Sequence, residues 1–333
     1  MKIIKFHSGK DRRTSVNIFL LLCLVNILHL PLVSCQNDDD AVKDVVFDEC
    51  IVIVPDIQYY TNNPERFAYL DHIVNYCKEN QNKISFCLQT GDLTENNDIW
   101  QWENSYLYFF SKLPKDLSCI YCLGNHDYGY MGSSDTRSSK IPEKIYSSRN
   151  VSIVGATYDN YVKFENIGNS KFAIMVLEFA PRNEVLGWAN KVIQDNSDTP
   201  FIILTHAFLN NQGKLFDFKD PNCDNMYSQK SYSMGGDYLN DSREIFDKII
   251  FGNHNVKMVV CGHCLHNDFI ATEFVKNQTG DDIPCIMVNY QHDAEGGKGN
   301  IGILALKDST FHLYSYSTVE KRFLRYYTSF KVK

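Results

Sequence analysis

Five times in this chain of 333 residues a short apolar run of β-forming character stops at a side chain able to hold a metal ion, and that repeated syntax constrains the fold more than any other feature. The run at 50–54 is followed by Pro55-Asp56-Ile57-Gln58, and the run at 84–88 by Gln89-Thr90-Gly91-Asp92-Leu93-Thr94-Glu95-Asn96. The run at 117–123 breaks at Gly124-Asn125-His126-Asp127, that at 201–204 at Thr205-His206, and that at 258–261 at Gly262-His263-Cys264-Leu265-His266. Apolar runs of this length, bounded by Gly, Pro or Asn, read as buried strands ending in turns. Side chains at the carboxyl ends of such strands sit on a rigid rim, where open α/β sheets place their chemistry. Carboxylate, amide oxygen and imidazole together suit borderline or hard divalent ions and not soft, thiolate-bound ones.

Between these runs the periodicity changes. Residues 63–82 carry Phe67, Leu70, Ile73, Val74 and Cys77 at helical spacing, with Pro64 suited to a first turn. This helix would join the Asp56 and Asp92 strands as a right-handed βαβ crossover. A second amphipathic helix is expected at 99–113, where Trp100, Trp102, Tyr106, Leu107, Phe109, Phe110 and Leu113 read as core, and a third at 183–194. Residues 152–154, 161–164 and 171–179 alternate like strands of a second sheet, and the chain from Asp268 onward reads as antiparallel strands. Two irregular stretches flank the motifs. The segment 128–150, rich in Gly, Ser, Lys and Arg, suits a substrate-facing lid or a plain surface loop. The stretch between His206 and Asp241 carries Phe216, Phe218, Tyr227, Tyr232 and Tyr238, whose rings can stack on a substrate or simply fill core.

Residues 1–34 begin with Lys2, Lys5, Lys10, Arg12 and Arg13 and continue with an apolar core at 18–33, interrupted by Asn26, His29 and Pro31. That is the pattern of a secretory signal peptide, too short and interrupted for a membrane span. Its end, Leu32-Val33-Ser34-Cys35, resembles a bacterial lipobox, with 35–48 as an acidic tether. Lipid on Cys35 would anchor the chain to the cell envelope on the extracytoplasmic side, where it could be surface-exposed; an ordinary cleaved signal, giving a secreted protein, is the alternative. Removing five bases and one acid with residues 1–34 leaves 28 of 33 Lys+Arg against 39 of 40 Asp+Glu, a net charge of −11. So acidic a surface argues against nucleic acid as a main partner. Beyond Cys23 and Cys35, nine cysteines remain, scattered through strand-like runs, and read as buried thiols. Asn-x-Ser/Thr sequons stand at Asn150, Asn240 and Asn277.

Taken in order, Asp56-x-Gln58, Gly91-Asp92-x-x-Glu95, Gly124-Asn125-His126-Asp127, the lone His206 and Gly262-His263-x-x-His266 resemble the motif set of the calcineurin-like metallophosphoesterases over residues 48–316. The resemblance implies an α/β fold for residues 49–333: a four-layer α/β/β/α sandwich of two mixed sheets face to face. It implies a cofactor of two divalent metal ions, Mn, Fe, Zn or Mg, and a small-molecule phosphate ester, mono- or diester, as substrate. By position, Asp92 would bridge the ions; Asn125, His206 and His263 would complete one site; Asp56, Gln58 and His266 would serve the other. Hydroxide activated between the ions would attack phosphorus, His126 would act as general acid, and Asp127 would hold His126 in place. Two departures fall on the Asp56 site. Gln58 stands where the family usually has His, and His266 follows His263 by three residues where the family spacing is two. Asn289-Tyr290-Gln291 with Gly296-Gly297-Lys298-Gly299 resembles a segment of bacterial secreted members whose first motif is Asp-x-Gln, and carries no assigned chemistry.

Two other classes compete. A surface-anchored binding protein on a degenerate phosphoesterase scaffold would account for Gln58 and the displaced His266. Cys261-Gly262-His263-Cys264 matches a thiol-disulfide oxidoreductase pair, and Cys119-Ile120-Tyr121-Cys122 is a second C-x-x-C. Redox use needs the first Cys at a helix start, whereas Cys264 leads into a stretch with no helical pattern, and thiols three apart on a strand point to opposite faces.

Overall fold

A computed structural model describes residue 42 and residues 45–147 and 157–332. The expected leader, Cys35, most of the tether, Asn150 and the strand at 152–154 lie outside the described residues. In chain order the strands are β1 (Glu49–Val54), β2 (Ile84–Gln89), β3 (Cys119–Tyr121), β4 (Tyr161–Ile167), β5 (Ser170–Val176), β6 (Phe201–Leu204), β7 (Val256–Cys261), β8 (Ile270–Lys276), β9 (Asp282–Val288), β10 (Ile301–Lys307), β11 (Thr310–Ser317) and β12 (Arg322–Phe330). The helices are α1 (Gln58–Thr61), α2 (Phe67–Glu79), α3 (Ile99–Tyr108), α4 (Glu143–Tyr146), α5 (Asn183–Asp195) and α6 (Ser242–Ile245). One sheet has the order β12-β11-β10-β1-β2-β3 and the other β4-β5-β6-β7-β9-β8.

Strand alternation decides what lies on each face of these sheets. Ile51 and Ile53 of β1, Phe86 and Leu88 of β2 and Ile120 of β3 share one buried cluster with Ile174, Val176, Ile202, Leu204, Met258 and Val260 of the second sheet. The intervening residues Cys50, Val52, Val54 and Cys87 belong instead with Leu70, Ile73, Val74 and Cys77 of α2. Met175, Ile203 and Val259 likewise join Leu186, Ala189 and Ile193 of α5. The result is α/β: two mixed sheets with their inner faces joined and helices flanking them, as the motif order implied.

Several boundaries differ from expectation for local reasons. The helix expected from residue 63 starts at Phe67, because Asn63 accepts a hydrogen bond from the Glu65 backbone N–H at 3.0 Å and the chain first makes a 3₁₀ turn at Pro64–Arg66. Helix α3 stops at Tyr108, and Phe110–Lys112 continues as a separate 3₁₀ turn. The chain after Asp268 is not purely antiparallel: β9 pairs antiparallel with β8 but parallel with β7, Val259 facing Cys285. A central strand has two neighbours, and periodicity reveals neither.

Cysteine placement bears on the redox reading. Cys261 and Cys264 are buried free thiols; burial pushes the first up to about 12 and the second well above its ordinary value. A thiol nucleophile needs the opposite shift. Cys119 packs against the helix-side cluster and Cys122 belongs to the inter-sheet one, so that pair does point to opposite faces. Asn240 is buried and its Nδ2 donates to the Pro181 carbonyl at 2.8 Å, which withdraws that amide from glycosylation. Among the described residues no helix is long and apolar enough to cross a membrane.

Candidate metal centre

Each of five strand ends contributes one side chain. Asp56 follows β1, Asp92 follows β2, Asn125 follows β3, His206 follows β6 and His263 follows β7. The parallel pairings β1–β2–β3 and β5–β6–β7 make these ends emerge together. Asp92 and His263 hold left-handed backbone, with φ of 51° and 71°, a conformation costly for non-glycine residues and typical of sites where geometry is imposed by function. Close approach explains two motif glycines. A Cβ on Gly91, whose φ is +104°, would stand 2.5 Å from His206 Nδ1, and one on Gly262 would stand 2.4 Å from Asp56 Oδ1.

The hydrogen bonds fix the tautomers and thereby show what the centre needs. His206 Nδ1 donates to the Thr90 carbonyl at 2.7 Å, so Nε2 presents its lone pair. That nitrogen faces Asn125 Oδ1 at 3.1 Å, Asp92 Oδ2 at 3.2 Å and His263 Nδ1 at 3.1 Å. His263 Nε2 donates to the Tyr227 carbonyl at 2.9 Å, which leaves its Nδ1 a lone pair as well. Four buried lone pairs converging on one another repel unless a cation lies among them. A proton on His206 fills that role in part: burial lowers its pKa, but Asp92 and Asp56 outweigh burial and raise it to about 9.

A second group of donors adjoins the first. Ligand atoms of Asp56, Asp92 and His206 all lie within 4.8 Å of one another. Asp56 Oδ2 accepts from Asn289 Nδ2 at 2.8 Å and from the His263 backbone N–H at 3.2 Å, and Oδ1 accepts from Thr90 Oγ1 at 3.3 Å. Burial, opposed by His206 and reinforced by Asp92, pushes Asp56 up to about 7. Burial raises Asp92 too, but the imidazoles of His206 and His126 overcome it and hold that carboxyl well below the usual range. Gln58, the first residue of α1, donates from Nε2 to Asp92 Oδ2 at 3.1 Å, while its buried Oε1 has no partner. An orphaned buried amide oxygen on a side chain that bonds the Asp92 carboxylate is a donor a hard divalent ion takes, so the residues present fit metal at both groups.

His266 is engaged elsewhere. Its Nδ1 accepts from the Asp268 backbone N–H at 3.2 Å and its ring lies beside Gly213. The extra residue after His263 turns it away from the strand-end cluster. Asp127 also differs from expectation. Its Oδ2 accepts from the backbone N–H groups of Gly124 and Leu93 at 2.9 and 3.1 Å, and its Oδ1 from the Thr94 N–H and hydroxyl at 2.9 and 3.0 Å. Both oxygens are thus used to bind the β2 and β3 turns together, and the role of orienting His126 passes to the Glu95 carbonyl, which accepts from His126 Nδ1 at 2.8 Å. Thr90, Glu95, Tyr227 and Asn289 are supporting residues whose roles motif reading did not assign, although Glu95 stands in the Gly-Asp-x-x-Glu motif, Tyr227 in the aromatic stretch and Asn289 in the Asn-Tyr-Gln segment.

His126 therefore presents Nε2 to a cleft of about 470 Å³ whose walls include Tyr59, Met131, Tyr227, Tyr232, Gln291 and His292. Burial lowers the His126 pKa, but Asp92 and the Glu95 carboxylate and carbonyl raise it by more, which favours the protonated ring. The loop beyond it is tied down: Ser134 Oγ donates to the Asn125 carbonyl at 2.6 Å, and Arg137 pairs with Glu178 at 3.2 Å and Asp237 at 2.7 Å.

The sequence model of the calcineurin-like phosphoesterases matches residues 51–266. Among solved structures the chain is similar to a dimetal phosphatase from Danio rerio, at 13% identity over 86% of this chain and 100% of that one, with a TM-score of 0.50. It is also similar to a purple acid phosphatase from yellow lupin, Lupinus luteus, at 15% identity, 85% coverage of this chain and a TM-score of 0.46; the chain spans 53% of that protein. No curated protein sequence matches it. The zebrafish likeness extends to the fold, and the family match runs through all five strand ends that carry the candidate ligands, so the chain belongs to the calcineurin-like phosphoesterases and is a phosphoester hydrolase.

Proposed function

We propose that this protein hydrolyses phosphate esters of small molecules at a centre of two divalent ions, with His126 as general acid. The observation that carries the reading is the convergence of lone pairs from His206, His263, Asn125 and Asp92 on one point, flanked by the unpartnered Gln58 oxygen and Asp56. His206, His263 and Asn125 would hold one ion, Asp56 and Gln58 the other, with Asp92 between them. When bound, such ions supply positive charge for the phosphoryl oxygens and acidify water. The chain's own residues do the rest. Carbonyls of Thr90, Tyr227 and Glu95 lock three imidazoles, Asn289 and Thr90 hold Asp56, and His126 Nε2 carries a proton to the leaving oxygen. Asp127 acts as a positioning residue, keeping the Asp92 and Asn125 turns in register.

Asp92→Asn is expected to lower metal content and abolish turnover together, whereas His126→Asn should keep its metal. Loss of His126 should slow alkyl esters by about 10²–10⁴ and nitrophenyl esters far less, because general-acid help matters little for a stable leaving group. Equal losses on both classes would remove His126 from the acid role. Full metal occupancy with no turnover of either class would favour a binding protein on a phosphoesterase scaffold. The Leu32-Val33-Ser34-Cys35 motif supports a further part of the proposal, lipid attachment at Cys35 on the extracytoplasmic side.

A further inference from the structure

The His206 ring is fixed through Nδ1 by the Thr90 carbonyl and the His263 ring through Nε2 by the Tyr227 carbonyl. One such hydrogen bond sets the tautomer but leaves the tilt of the ring to whatever packs against it. Both imidazoles have the same neighbour. The fully buried Phe179 ring stands 5.9 Å from the His206 ring at 63° and 5.6 Å from the His263 ring at 53°, while the two imidazoles lie 4.8 Å apart. Aromatic rings at these separations and angles are in contact, so neither imidazole can swing without displacing Phe179. Tyr232, a wall of the cleft, meets the same ring edge-on at 4.9 Å.

Phe179 is in turn held by its backbone. Arg137 Nη1 donates to the Phe179 carbonyl at 3.2 Å and Nη2 to the Ala180 carbonyl at 2.8 Å, while Nη1 also pairs with Glu178 at 3.2 Å and Nε with Asp237 at 2.7 Å. Glu178, fully buried, accepts further from Arg182 Nε at 2.9 Å and Asn160 Nδ2 at 3.0 Å. Ala180 has φ of 50°, so the turn after Phe179 is kept against its local preference by these contacts. Arg137 belongs to the loop that gives the cleft Met131 and Gly132, and Asp237 to the loop that gives it Tyr227 and Tyr232. A planar fork of five N–H donors can serve four acceptors at once, whereas a lysine ammonium carries its donors on a single atom. We propose, resting on the metal-centre reading above, that Phe179 is a positioning residue that sets the planes of His206 and His263 for metal, and that Arg137 acts through it.

Calorimetric titration of full-length, chelator-treated protein with Mn tests this. Phe179→Leu keeps most of the apolar volume and loses the flat ring, and should weaken Mn by about ten- to hundredfold, the usual range for removing a group that orients a metal ligand. Phe109→Leu makes the same exchange at a buried core position whose ring packs on Phe110 at 5.1 Å, and should leave Mn affinity unchanged; equal losses in the two variants would reduce Phe179 to general packing and overturn the proposal. Should Phe179→Leu not fold, Phe179→Met carries the same expectation. Arg137→Lys should also weaken Mn, and combining it with Phe179→Leu should weaken Mn no further than Phe179→Leu alone, because Arg137 then has no ring left to position. Losses that multiply in the double variant would overturn the claim that Arg137 acts through Phe179. With Co in place of Mn, the visible absorption of the saturated protein should change in Phe179→Leu and match the wild type in Phe109→Leu; a wild-type spectrum in Phe179→Leu would show the ligand geometry untouched and refute the positioning role. Wild-type protein that takes up no Mn refutes the metal reading itself, whereas wild type and Phe179→Leu binding Mn equally well refutes this proposal alone.

Discussion

The lone-pair cluster at His206 makes metal binding a proton displacement, and its pH dependence follows in sign and size. In metal-free protein His206 titrates at about 9 and Asp56 at about 7, and both must be deprotonated to act as ligands. Affinity therefore rises with pH. At pH 7 the proton on His206 opposes metal by about 3 kcal/mol, at roughly 1.4 kcal/mol for each pH unit below the pKa. Between pH 7 and 9 the apparent association constant should climb by roughly fifty-fold, from His206 alone. Between pH 6 and 7 both groups contribute, and roughly fifty-fold should be gained in that single unit. Calorimetry of Mn binding under argon, in paired buffers of different ionisation enthalpy, would count the protons released: about one near pH 8, rising toward two near pH 6. Affinity that is flat from pH 7 to 9, with no proton released, would show that His206 Nε2 is already unprotonated among those acceptors, and the charge argument for the centre would fail.

Metal-free stability should respond in the opposite sense. The raised His206 pKa stabilises the fold fully below its ordinary value of 6.5 and ceases to do so as pH passes about 9, so the Tm of chelator-treated protein should fall between pH 7.5 and 10 while metal-loaded protein changes little. Gly91→Ala places a Cβ 2.5 Å from His206 Nδ1 on backbone of φ +104° and should cost about 2–4 kcal/mol in denaturant titration, with metal lost in parallel; an unaltered midpoint would refute the close approach. Gln58→His, which replaces an amide by a stronger nitrogen donor, should lower the Mn concentration giving half-maximal activity, and no change would remove Gln58 from the ligand set. Cys35→Ser should shift the protein out of the detergent phase or block its maturation, and unchanged partitioning would leave an ordinary signal peptide.

How much of this was legible in the sequence depends on which atoms do the work. Strands β1, β2, β6 and β7 are buried on both faces, so they read as continuous apolar runs, and their ends could be located within a residue or two. Sheet order was not legible, because the insertion of β9 between β7 and β8 is a long-range choice with no periodic signature. Within the centre, Asp56, Asp92, Asn125, His206 and His263 stand out because carboxylates, amides and imidazoles at strand ends are chemically conspicuous. What orients them is not. Three imidazoles are locked by the carbonyls of Thr90, Tyr227 and Glu95, and a backbone carbonyl is the same atom in every residue. For that reason Asp127, the conspicuous neighbour, attracted the role that the Glu95 carbonyl performs, while its carboxylate secures two turns.

This separation of side chain from backbone also has a use. At Tyr227 the carbonyl holds His263 while the ring faces the cleft, so the two contributions can be altered independently. Removing the ring leaves the carbonyl and the ligand it orients in place. A selective loss of ring-bearing ligands, with Mn affinity retained, would therefore assign the ring to substrate and the backbone to metal. Parallel loss of both would show that the ring's edge-on contact with His263 supports the ligand as well, and that cleft wall and metal centre at this position are one unit.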